Sequence, residues 1–114
     1  MADARPTIST HVLDVERGSP AEGVSIALFW LTDDGGTELL AEFETDADGR
    51  VRDLLDGAAL AEGDYQLVFD VGSYHGDEGF FGGMAVGIRV DDVTRSYHVP
   101  LLLSSFSMTT YRGS

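Results

Sequence analysis

Two histidines, His11 and His98, two arginines, Arg50 and Arg112, and the closing Tyr111-Arg112-Gly113-Ser114 are the residues of this 114-residue sequence best suited to chemistry. A neutral imidazole takes a proton from water near neutral pH, and a guanidinium offers a planar fork of donors to oxygen anions. Arg50 ends the run Asp46-Ala47-Asp48-Gly49-Arg50 and, read alone, is a turn arginine balancing local carboxylates. His11 read alone is a half-buried strand residue, and His75, in a glycine-rich stretch, reads as structural. The closing tetrapeptide differs from these. It gathers a phenol, a guanidinium, a hydroxyl and the terminal carboxylate directly behind an apolar run, where a chain end is ordinarily frayed unless a site holds it. It is the strongest functional signal in the sequence.

Other chemistries fail on spacing. The three histidines form no HxH or HExxH pair, and the chain has no cysteine, hence no thiolate ligand and no disulfide. Asp46-Ala47-Asp48-Gly49 is not continued by the ligand series of an EF-hand, and no serine stands in a Gly-x-Ser-x-Gly elbow. What remains is general-base work by histidine with arginine anchoring, expected to need neither metal nor cofactor.

Charge narrows the partners. Twenty acids face 7 arginines with no lysine, a net charge of −13, and such a field repels nucleic acid and anionic membrane surfaces. The acids are scattered (Asp33-Asp34, Glu42, Glu44, Asp46, Asp48, Asp91-Asp92), which fits a surface adapted to high salt, where screening relieves self-repulsion. No apolar stretch approaches the roughly 20 residues that span a bilayer, and the first residues lack the apolar core of a leader peptide. One cytoplasmic domain over residues 1–114 is the expectation.

The elements that must position these residues are strands. Alternation predicts strands at 7–15, 23–32, 37–45, 50–53, 64–70, 84–91, 95–103 and 105–112, divided by turns rich in Gly and Asp. Val24, Ile26, Leu28 and Trp30 share one face of the second, and Tyr65, Leu67 and Phe69 one face of the fifth. Residues 71–83, with five glycines, read as a loop holding at most one helical turn near Ser73-Tyr74-His75. The pattern is that of an all-β sandwich. In the strand at 95–103, Tyr97, Val99, Leu101 and Leu103 form the core face and leave His98 on the other, with Ser96, Pro100 and Leu102. In the first strand Ser9, His11, Leu13 and Val15 share a face. A histidine face on so apolar a strand needs a cover, and a partner subunit is the expected one.

Four stretches resemble the 5-hydroxyisourate hydrolases of the transthyretin-like family: Ile8-Ser9-Thr10-His11-Val12-Leu13-Asp14 with Arg17-Gly18-Ser19-Pro20, then Thr45-Asp46-Ala47-Asp48-Gly49-Arg50, then Tyr97-His98-Val99-Pro100-Leu101-Leu102-Leu103-Ser104, and the terminal Tyr111-Arg112-Gly113-Ser114. The resemblance covers nearly the whole chain in register. Transthyretin itself carries Lys, Glu and Thr where this chain has His11, Arg50 and His98, and lacks the tetrapeptide. The resemblance implies two facing four-stranded sheets, at most one short helix, and a homotetramer with its sites between dimers. It implies hydrolytic opening of the six-membered lactam ring of 5-hydroxyisourate without a cofactor. It further implies His11, Arg50, His98 and Ser114 as catalytic residues and Tyr111 and Arg112 as substrate-binding ones. Ser105-Phe106-Ser107-Met108-Thr109-Thr110 departs from the family's usual run, which changes the packing expected of the last strand. The rival reading is a transthyretin-like binding or interaction module without catalysis, and it differs in one respect. In a mere binder His11, Arg50, His98 and the tail need not converge.

Overall fold

A computed structural model of the protein describes residues 5–114. The strands are β1 (Ile8–Asp14), β2 (Ser19–Pro20), β3 (Ser25–Leu31), β4 (Thr37–Glu44), β5 (Arg50–Val51), β6 (Gly63–Asp70), β7 (Met84–Val90), β8 (Tyr97–Leu103) and β9 (Met108–Thr110). They form two layers. One sheet has the order β2-β1-β8-β9, with β5 also pairing β1, and the other runs β4-β3-β6-β7. Every pairing is antiparallel except that of β1 with β8.

The alternation read from the sequence builds the space between the layers. Ile8, Val12, Ile26, Leu28, Tyr65, Leu67, Phe69, Tyr97, Val99, Leu101 and Leu103 are all buried, each from the predicted face of its strand. Fully burying one such side chain stabilises the fold by about 1.5–3 kcal/mol, so a one-residue slip of any inner strand would be heavily penalised.

Three boundaries depart from the sequence reading. Ser19–Pro20, read as part of a turn, forms a two-residue strand opposite Leu13 and Asp14, an edge position that the missing proline N–H allows. The strand expected at 50–53 stops at Val51, because the Asp53 carboxylate accepts the Leu55 and Gly57 N–H groups and turns the chain away. The strand expected at 105–112 is reduced to Met108–Thr110, because residues 104–107 close a turn in which Ser104 N–H donates to the Ser107 carbonyl at 2.9 Å. The single helical turn expected near Ser73 is present as α1 (Val71–His75), followed by a 3-10 turn at Gly76–Glu78. Asp70 caps α1 by accepting the Ser73 N–H, and Tyr74 donates from it to buried Asp14 at 2.7 Å. Among the described residues no helix is long and apolar enough to cross a membrane.

Candidate active site

β1 and β8 lie side by side with Ser9 opposite His98 and His11 opposite Pro100. Since Ile8, Thr10 and Val12 point inward, Ser9 and His11 point outward, and the same alternation turns His98 outward between Tyr97 and Val99. From the inner face the Thr10 hydroxyl donates to the Val99 carbonyl at 2.6 Å, fixing the two strands against sliding. On the outer face Ser9 Oγ lies 2.8 Å from His98 Nδ1. That contact leaves Nε2 as the ring nitrogen available for chemistry.

Arg50 reaches this face through a turn that only glycine permits. Gly49 has φ +75°, and a Cβ there would stand 2.3 Å from the Val12 carbonyl oxygen. The Asp46 carboxylate accepts the Asp48 and Arg50 N–H groups, closing the turn, and β5 then places Arg50 directly opposite His11. Residues opposite one another on antiparallel strands share a face, so His11 and Arg50 lie together.

The tail arrives from the other side. β9 pairs β8 from Leu103 opposite Met108 to Leu101 opposite Thr110, and the same register recurs at a bridge of His98 with Gly113. Gly113 N–H donates to the His98 carbonyl at 2.8 Å. A Cβ on Gly113 would meet His98 Cδ2 at 2.5 Å and Pro100 Cγ at 3.2 Å, so the tail can lie this close to the imidazole only with glycine at this position.

Ser9, Arg50, Arg52, His98, Gly113 and Ser114 line one open cleft of about 390 Å³. Of the residues singled out in the sequence, it joins Arg50, His98 and Ser114. His11 is outside that lining but on the same face, and near enough for its charge to act on His98. Tyr111 and Arg112 fall elsewhere. The register that sets Gly113 against His98 sets Arg112 against Val99, a core-facing residue, and the Arg112 guanidinium stacks 4.4 Å from the centre of the Tyr97 ring. Both line a neighbouring cleft of about 320 Å³ that has His98 as a shared wall. Three contributors escaped the sequence reading: Ser9, Gly113 and Arg52. Alternation did put Ser9 on the histidine face, but its hydrogen bond depends on a parallel pairing that spans 89 residues of sequence.

Electrostatically the cleft favours a neutral imidazole. Burial holds His98 below the ordinary histidine value of 6.5, and the charges of Arg50 and His11 act in the same direction. A hydrogen bond with the Ser9 backbone opposes them in part. A half-buried neutral imidazole beside a guanidinium and a serine hydroxyl can take a proton from water while an anion is held close by.

Fold and site together define a two-layer β-sandwich of the transthyretin type, with a histidine–arginine cleft on the outer face of the sheet that contains β1 and β8. Residues 8–113 match the HIUase/Transthyretin family, and the chain belongs to that family. It is 38% identical over 117 residues to the 5-hydroxyisourate hydrolase of Salmonella dublin, an alignment that covers 100% of this chain and 85% of that protein. Among solved structures, the 5-hydroxyisourate hydrolase of Klebsiella pneumoniae superimposes with a TM-score of 0.81 at 34% identity, covering 96% of this chain and 94% of that one. Sea bream transthyretin in complex with thyroxine gives 0.86 at 31% identity, covering 93% of each chain. Because hydrolase and hormone carrier share the backbone, side chains must separate them.

Proposed function

We propose that this protein is a 5-hydroxyisourate hydrolase that opens the six-membered lactam ring of its substrate with water. The observation that carries the reading is the convergence of His98, Arg50 and Ser114 in one cleft, with His11 on the same face. A carrier needs no such convergence.

In this reading His98 is the general base. With Nδ1–H donating to Ser9 Oγ, Nε2 offers its lone pair to a water poised over the ring carbonyl. The water oxygen attacks that carbon as Nε2 takes its proton, and negative charge gathers on the carbonyl oxygen. Arg50 is suited to that oxyanion, and His11, opposite it in the sheet, completes the donor set. As the tetrahedral carbon collapses, the C–N bond breaks and the ring nitrogen receives the proton carried by His98. The Ser114 hydroxyl orients the water. Tyr111 and Arg112 contribute to substrate binding from the neighbouring cleft, across the His98 wall. No step in this scheme passes through a metal or cofactor.

The working form we infer is a cytoplasmic homotetramer in which the outer face of the β1–β8 sheet is covered by another copy. The cleft is open in the single chain, and a reaction that depends on excluding bulk water favours a cover over it.

Generating 5-hydroxyisourate in place with urate oxidase and following its absorbance decay tests the reading directly. Acceleration over the spontaneous decay, retained with a chelator present, is the expected result. Decay at the spontaneous rate in both dilute and molar salt would remove the enzyme reading and leave the binding module.

A further inference from the structure

The arginines of this chain divide by the company they keep. Arg5 lies 2.8 Å from Asp53, Arg17 3.6 Å from Asp14 and Arg89 3.4 Å from Asp64. Among the described residues Arg50, Arg52, Arg95 and Arg112 form no ion pair, although acids outnumber arginines 20 to 7, and of these four Arg50 and Arg52 share a cleft with His98 and Ser114. The carboxylate that feels both is Asp46. It is held low first by the Arg50 N–H, with the Asp48 N–H and the charges of Arg52 and Arg50 adding to this, and it is engaged with the backbone of its own turn. No acidic side chain lines the cleft that Arg50 and Arg52 share with His98 and Ser114. By contrast, Glu42, Glu44 and Asp70 wall the cleft on the outer face of the other sheet.

We propose that Arg52 is a second guanidinium of the substrate site, and that it acts on the capture of an anionic heterocycle. This rests on the function proposed above and deepens it. The two arginines are placed for different work. Arg50 is half-buried and fixed by its pairing with β1, which suits a directed contact. Arg52 is exposed at the mouth of the same cleft, where what it supplies is field. A molecule of net charge −13 repels an approaching anion, and a local concentration of positive charge in a concave site offsets that repulsion along the final approach. The effect is long-ranged in dilute buffer, where screening sets in over about 10 Å at 0.1 M, and short-ranged at 1 M, where the distance is about 3 Å.

Steady-state kinetics of wild type and Arg52→Gln in dilute and in molar salt test this. In dilute salt KM should rise roughly three- to tenfold while kcat stays within about twofold, and the difference should close in molar salt as screening replaces the missing charge. Arg52→Lys should hold KM near wild type. Arg95→Gln removes the same charge from an exposed turn outside the cleft and should leave KM alone. Calorimetric titration with urate, a purine anion that requires no turnover, separates this proposal from the enzyme reading, since Arg52→Gln should weaken its binding even in a protein that opened no ring. An unchanged KM for Arg52→Gln, an equal rise in Arg95→Gln, a loss confined to kcat, or urate affinity that is equal in wild type and Arg52→Gln or absent from both would overturn it.

Discussion

Ser9 shows how much a small side chain can decide. Its hydroxyl, 2.8 Å from His98 Nδ1, holds the ring through that nitrogen and leaves Nε2 free, which makes it a positioning residue in the proposed reaction. The contact that partly holds His98 up runs to the Ser9 backbone, which Ser9→Ala keeps, so that variant removes the ring's support at Nδ1 and not that contact. Ser9→Ala should therefore lower kcat about tenfold with KM and the acid limb of the pH–rate profile little changed, and be rescued by Ser9→Thr, with little change in melting temperature. In the wild type that limb falls below the ordinary histidine value, and rate is lost as acid protonates the base. A purely structural serine would lower the melting point and leave kcat where it was. At this scale the sequence singled out His98 and the closing tetrapeptide directly, and Arg50 only through the family resemblance. It was silent where meaning depends on a neighbour: Ser9 gains its role from β8, and Arg52 from a cleft whose other walls lie at both ends of the chain.

At the scale of the element, the extension of β9 past Thr110 governs the site. Its two-residue period delivers Gly113 to His98 and sends Arg112 to the Tyr97 ring. The tail is thereby anchored on the core side by a cation–π contact worth about 0.5–1 kcal/mol and presents its smallest residue to the imidazole. Gly113→Ala would force a Cβ to within 2.5 Å of His98 Cδ2, so either the ring or the tail must move. Activity should fall at least tenfold while the melting temperature stays within about 2 °C of wild type. Full activity in that variant would show that the tail's approach to His98 is incidental. The sequence marked the tail as held but could not say which of its side chains faces the histidines. That answer comes from the register with β8, set by a turn at 104–107 whose serine contacts displaced the start of the strand. The short helix was legible only as a limit: the glycines of 71–83 allowed at most one turn, while the Asp70 cap that starts it went unread.

For the molecule as a whole, alternation located nearly every buried strand residue, because a sandwich core demands it on every inner strand. Of the sheet partners only the β3–β4 hairpin was legible, from the turn Asp33-Asp34-Gly35-Gly36, since period-two patterning does not say which strands pair and the parallel β1–β8 contact leaves no local trace. Charge is the other global property. Arg5–Asp53, Arg17–Asp14 and Arg89–Asp64 each join a partly or largely exposed arginine to a carboxylate and contribute about 0–1 kcal/mol apiece, and 7 arginines against 20 acids leave −13 uncompensated. If the chain works as the tetramer proposed above, copies of this charge are brought together, and salt should favour assembly. Sedimentation from dilute to about 2 M salt should show the larger species gaining. Identical profiles across the series would refute a salt-adapted surface while leaving the chemistry untouched.

The parallel contact of β1 with β8 also has a consequence in time. Ser9 and His98 stand 89 residues apart, so during synthesis β1 can meet β2 and β5 early, while its β8 edge waits unpaired until almost the whole chain has emerged. Pairings of such separation form late and slowly. A fragment lacking β8 holds at most the His11–Arg50 pair, and a one-residue misalignment of β8 would point His98 into the core and Val99 toward water. Ring opening is therefore a property acquired only at the end of folding, and its return after dilution from denaturant should follow the slowest phase seen by any structural signal.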